Sequence, residues 1–202
     1  MCQVDTNEVG VTMNPSKKHE VQFISVNDGR LVKGRRLKLP RTCNGIACHQ
    51  NDLYITSDTA LCKYTMSGQM VSTLYEDASA NGAVLKCAVS TSGEKIFVTH
   101  NVQHMLLTLA SDGSLLSTFT DPKLLWPRAV HVTAAGQVFV CGCMSNTIVQ
   151  VCRDRRQKLA TLPTGGDGVS YPASVYYNRK TSSIIVGRGN NNKILVLNVV
   201  LV

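Results

Sequence analysis

Apolar and polar residues alternate along this chain in short bursts, and the bursts repeat. "LYIT", "IFVT", "VFVC" and "IIVG" place Ile55, Val98, Val140 and Val186 in one recurring setting, at a period of ~40–45 residues. Ahead of each stands another short strand, "GIAC", "KCAV", "AVHV" and "SVYY", in which Ile46, Cys87, Val130 and Val175 correspond. After each comes a third, "LCKYTM", "MLLTLA", "TIVQVC" and "KILVLN", and in three cases a fourth, "MVSTL", "LLSTF" and "KLATL". Ser92-Gly93 and Ala135-Gly136 separate first from second strands, and Ser67-Gly68 and Asp112-Gly113 separate third from fourth. These are tight-turn pairs in which glycine supplies a positive φ at no steric cost. No window long enough to test carries a helical period. Four short antiparallel strands per repeat predict an all-β chain built as a β-propeller, one meander per blade.

The pattern predicts complete blades over 43–75, 84–120 and 127–162, with partial blades over 7–39 and 172–202, all within one propeller region spanning 1–202. In the first partial blade "EVGVTM" reads as a second strand, "EVQFISV" as a third and "LVKGRRLKL" as a fourth. That makes ~18 strands in all. In the last, "NNNKILVLNVVLV" carries Ile194, Val196 and Val199 with no strand following to cover one side. Two partial blades imply an exposed apolar edge at each end, and such edges invite pairing and aggregation.

Charge and cysteine content alter this picture little. Lys and Arg number 21 against 13 Asp and Glu, a formal net charge of +8, which admits an anionic partner such as RNA or an acidic protein surface. The 8 cysteines are irregularly spaced and sit mostly inside predicted strands. There a reduced thiol behaves as a small hydrophobe, so the reading is eight reduced cysteines and a cytoplasmic setting. Cys141 and Cys143 with His100 and His104 are the one metal-like grouping, but no C-x-x-C pair accompanies them, and no metal or other cofactor is expected. "MCQVDTNEVGVTM" does not read as a secretory leader, and Asn198 interrupts the longest apolar run, so no membrane partner is expected.

An enzymatic reading finds no support. The residues opening the inner strands are Gly45, Lys86, Ala129 and Ser174, and no acid recurs there to hold a catalytic metal; no G-x-S-x-G occurs either. The chain is therefore expected to be non-catalytic and to take no small-molecule substrate. Binding falls to the loops between second and third strands and between blades, which leave by one face and are the longer and more varied set. That face gathers Lys17, Lys18, His19, Arg41, His100, His104, Lys123, Arg188, Asn190, Asn191, Asn192 and Lys193, together with Trp126, the only tryptophan. Cations and amides beside an aromatic ring suit phosphates and stacked bases. Trp126 equally suits packing between blades, and the asparagines suit turns that need left-handed backbone. The opposite face also carries charge, at Arg30, Arg153, Arg155, Arg156, Arg179 and Lys180.

"GIACHQNDLYIT", "PRAVHVTAAGQVFVC" and "PASVYYNRKTSSIIVGRGNNNKILVLN" resemble the NHL repeat, and with "VQFISVNDGRLVKGRRLKL" in front the chain is similar to the propeller of invertebrate tripartite-motif proteins. The resemblance implies a six-bladed ring, of which this chain would be an incomplete piece, truncated at its amino-terminal side. It implies two alternative functions. One is the protein-substrate platform of a RING-type ubiquitin ligase whose RING and B-box zinc modules are not in this sequence. The other is an RNA-binding domain of post-transcriptional regulation.

Overall fold

A computed structural model describes residues 1–78, 84–152, 157–162, 166, 168–189 and 191–199, with the Lys17 side chain left aside. The chain forms five antiparallel sheets in succession, each a meander. Blade I comprises β1 (Cys2–Gln3), β2 (Glu8–Met13), β3 (His19–Asn27) and β4 (Arg30–Leu39). Blade II comprises β5 (Gly45–His49), β6 (Asp52–Thr56), β7 (Ala60–Thr65) and β8 (Met70–Glu76). Blade III comprises β9 (Val84–Val89), β10 (Lys95–His100), β11 (Met105–Ala110) and β12 (Leu115–Thr120). Blade IV comprises β13 (Pro127–Val132), β14 (Val138–Gly142), β15 (Thr147–Val151) and β16 (Lys158–Thr161). Blade V has three strands, β17 (Pro172–Asn178), β18 (Ser183–Arg188) and β19 (Ile194–Asn198). Successive inner strands, β1, β5, β9, β13 and β17, lie side by side. The architecture is an all-β propeller.

The described residues form five sheets, the number of blades the repeats predict and one fewer than the six-bladed ring the resemblance implied. One expectation changes. The first sheet is not partial: Cys2 and Gln3 pair with Gly10 and Val9, giving it a fourth, innermost strand and bringing the described total to 19. A two-residue strand lies below anything that alternation can reveal.

Alternation does explain the core. On β10, Ile96 and Val98 point to one side and pack with Ala47, Tyr54 and Leu61 of blade II. Phe97, between them, points the other way and packs with Leu124, Val138 and Val149 of blade IV. The period of 2 thus sends consecutive side chains of one strand into two different interfaces. Each fully buried side chain of this size stabilises the fold by roughly 1.5–3 kcal/mol. Blades I and II meet through Phe23, Ile46 and Ile55, and blades IV and V through Phe139, Ile148, Ile184 and Val186. Inner strands come close enough that a Cβ on Gly45 would lie 2.7 Å from the Leu85 carbonyl oxygen of blade III. Gly113, at φ +92, turns β11 into β12 in the left-handed region that glycine favours.

Candidate recognition face

The loops joining second to third strands and those between blades leave by one face, and the candidate residues lie along its rim, mostly apart. In blade I the 3-10 turn Pro15–Lys17 precedes Lys18 and His19, which line a hollow of about 250 Å³ with Lys38. His19 Nδ1 is 3.0 Å from Asn14 Oδ1. Arg41 lies 3.6 Å from Glu76, so its charge is already answered. In blade V, Arg188 donates to the carbonyls of Gly168, at 3.2 Å, and Lys193, at 3.5 Å. Asn191 Oδ1 accepts from the Lys193 amide at 2.8 Å, a local turn. Lys123, Asn192 and Lys193 are exposed. Asn190, like Arg153, Arg155 and Arg156 of the opposite face, lies outside the described residues.

Between blades, among the described candidates, His104 and Trp126 meet. The Trp126 amide nitrogen lies 3.1 Å from His104 Nδ1, which is itself 2.9 Å from the Asn101 carbonyl, and the rings are tilted at 53° with centroids 6.2 Å apart. This contact is one copy of a repeated device. The Cys43 amide donates to Asn14 Oδ1 at 3.1 Å and the Tyr171 amide to Asn146 Oδ1 at 2.8 Å. In each case a side chain from the second-to-third-strand loop of one blade latches the segment leading into the next blade's inner strand. His104 and Asn146 hold left-handed backbone, φ 55 and 52, to aim those side chains, and Trp126 and Tyr171 hold φ 54 and 45 just before a proline. His104 is thus structural at Nδ1, and the Trp126 backbone is fixed from both sides, its carbonyl accepting from the Cys143 amide at 3.2 Å.

His100 is not a surface group. It is fully buried, with Nε2 3.1 Å from Asp77 Oδ2 and Nδ1 accepting from the Gln103 amide at 3.3 Å. The Gln103 contact needs an unprotonated Nδ1, so Nε2 carries the proton and donates to Asp77. Cys141 sits in the blade IV–V core, where burial pushes its thiol pKa up, away from His100. Among the described residues no three His, Cys, Asp or Glu side chains gather as a metal-binding set. Next to His100, Asn101 is 6% exposed and its Oδ1 accepts no hydrogen bond among the described residues.

The residues that sequence reading missed surround Trp126. Val102, Leu125 and Met144 are exposed apolar side chains, at 38%, 39% and 61%, on three loops of the same face. The Met144 amide donates to the Leu125 carbonyl at 3.1 Å, and the Leu125 amide takes Ser145 Oγ at 3.2 Å, which brings two of those loops together. Exposed Lys123 and Arg128 flank them. Lys86 lies toward the axis, donates to the Asn44 carbonyl, and has its pKa lowered by burial, with Arg128 pushing the same way. The signal was present in the sequence: apolar residues stand among polar ones in each of "HNVQH", "TDPKLLWP" and "CMSN".

Comparison with solved structures gives the fold the same reading. A chain of the nidogen/laminin complex superposes with a TM-score of 0.77 at 15% identity, over 95% of this chain and 73% of that one. A protein of unknown function from Bacteroides caccae gives 0.72 at 12% identity, over 98% and 76%. A streptogramin B lyase gives 0.63 at 14% identity, over 94% and 68%. No family model and no curated protein matches the chain. At these identities the likeness shows the propeller fold and nothing finer.

Proposed function

We propose that this propeller is a non-catalytic platform that binds a protein partner on its long-loop face, centred on Val102, Leu125, Trp126 and Met144. Exposed Val102, Leu125 and Met144 on the loops beside partly buried Trp126 carry the reading. Aromatic and methionine side chains ringed by cations are the composition of a protein contact, and burying them supplies affinity that dispersed rim charges do not. An RNA site needs a continuous track of free cations, whereas here Arg41 faces a carboxylate, Arg188 is tied to carbonyls, and the remaining charges are spread over separate blades. That one propeller neighbour comes from a complex between proteins supports the same direction. The finer reading, the substrate-holding part of a tripartite-motif ubiquitin ligase, rests on the likeness of 45–56, 127–141 and 172–198 to NHL repeats.

The test is photo-crosslinking from a photoreactive phenylalanine analogue placed at Met144, in extract, with and without ribonuclease. Protein adducts that resist ribonuclease and vanish when Leu125 is changed to Asp are expected. Adducts made only to RNA would replace this reading with the RNA one.

A further inference from the structure

On the opposite face, where the first-to-second-strand turns emerge, blades IV and V enclose a cavity of about 530 Å³ lined by His131, Thr133, Tyr176, Tyr177 and Arg179. A second hollow of about 550 Å³ shares Tyr176 and Arg179 with it and adds Asn178 and Lys180. Repeat logic shows what makes this place different. Ile46, Cys87, Val130 and Val175 are equivalent inner-strand positions, each paired with its blade's second strand. The next residue in the four strands is Ala47, Ala88, His131 and Tyr176. Blades II and III therefore carry a methyl group where blades IV and V carry rings, and those rings meet with centroids 5.0 Å apart. At the blade II–III joint the corresponding space is filled: His49 Nε2 lies 3.2 Å from the Thr91 carbonyl, and a Cβ on Gly93 would run into the His49 ring.

The cavity's chemistry is specific. Tyr176 is 53% exposed and offers a ring face, while Tyr177 is held in the wall by Phe139, with centroids 6.0 Å apart. Burial lowers the His131 pKa to about 4, so its imidazole is neutral near pH 7 and offers one donor and one acceptor. Neither ring nitrogen has a hydrogen-bond partner among the described residues. Arg179 and Lys180 are exposed and have no ion-pair partner among the described residues, and no carboxylate lines either hollow. A stacking ring, an uncommitted neutral imidazole and two free cations around a space within the usual ~300–1,000 Å³ of small-molecule sites define a planar ring that bears an anion.

We propose that the blade IV–V cavity is a binding site for a nucleoside monophosphate, its base stacked on Tyr176 beside His131 and its phosphate held by Arg179 and Lys180. The site is independent of the protein-binding face, and its ligand class is one that sequence reading did not anticipate. The guanidinium supplies the charge-assisted hydrogen bonds to phosphate, and the base fills a space that His49 occupies at the blade II–III joint.

The experiment titrates the whole chain with adenosine 5′-monophosphate, adenosine and inorganic phosphate, followed by calorimetry and by tyrosine fluorescence. Saturable binding of the monophosphate is expected. Adenosine and phosphate alone should each bind about tenfold or more weakly, as should the monophosphate to Arg179→Ala or to Tyr176→Ser. Both side chains are exposed, so thermal melting should be unchanged and any loss of binding is a loss of contacts. Leu125→Asp should leave the titration as it is. Absence of saturation, equal affinity for adenosine and its monophosphate, or binding that both variants leave intact would overturn the proposal.

Discussion

The two end sheets solve the problem of an uncovered side in opposite ways. In blade I the side of β3 that faces away from blade II carries Glu20 and Gln22, 6% and 2% exposed. Gln22 Nε2 donates to the carbonyls of Phe23, Gly34 and Arg35, the last two on β4 across a bulge. Arg36 closes the set, donating to Gln22 Oε1 at 2.6 Å and lying 3.6 Å from Glu20. Polar groups that satisfy one another within a sheet need no neighbour. In blade V the corresponding side is apolar: Ile194 and Val196 on β19 are 67% and 63% exposed, and no described strand pairs with the free edge of β19. Among the described residues the apolar core of blade V packs against blade IV, and the side carrying Ile194 and Val196 is open to solvent.

The largest effect should come from breaking that joint. Phe139 is fully buried between blades IV and V, so Phe139→Ala should cost about 3–5 kcal/mol in urea unfolding. Proteolysis should then cut first within blade V. Cleavage first in blade I would contradict the contrast between the two ends.

Acid should weaken the same joint. The folded pKa of His131, about 4, is depressed by burial below an unfolded value near 6.5. Below 6.5 the unfolded chain takes up the proton first, so this contribution is full above that pH and is lost as pH falls toward 4. The whole is about 3 kcal/mol. The stability of His131→Phe should fall less over that window, by about this difference. Parallel pH profiles for the two proteins would show that His131 is not desolvated.

How much of this was legible beforehand follows from range. Strand alternation is local, so Ile96, Phe97 and Val98 could be read as strand residues from neighbours alone, whereas β1 was too short to register. The latches were illegible because they join residues far apart in the chain: Asn14 to Cys43, His104 to Trp126, Asn146 to Tyr171. His100 stood in a polar loop motif, yet Asp77, 23 residues earlier, draws it into the interior. Charge is visible in the sequence but its pairing is not, and the apolar residues of the same loops stand among polar ones whose chemistry suits a ligand equally well.

At the other end, Gln22→Ala leaves the Gly34 and Arg35 carbonyls and the Arg36 guanidinium short of a partner, and should cost about 1–3 kcal/mol in the same unfolding experiment. A neutral result would mean that water replaces the network and that blade I is no better finished than blade V. The smallest effect on stability belongs to Ile194→Lys with Val196→Glu. Both positions are exposed, so the change in unfolding free energy should stay within about 0.5 kcal/mol, while light scattering of concentrated protein should drop as the edge becomes charged. Unchanged scattering would show that β19 is not the sticky edge.

The claim at the centre is that the apolar cluster around Trp126, rather than rim charge, holds the partner. It is tested most directly by the affinity of the protein crosslinked from Met144 for two double variants, Leu125→Asp with Met144→Asp, and Arg188→Glu with Lys193→Glu. The first pair should weaken binding by about tenfold or more and the second by about twofold or less, with salt changing mainly the association rate. The reverse order, with binding lost on reversing the charges and kept without the apolar pair, would contradict it.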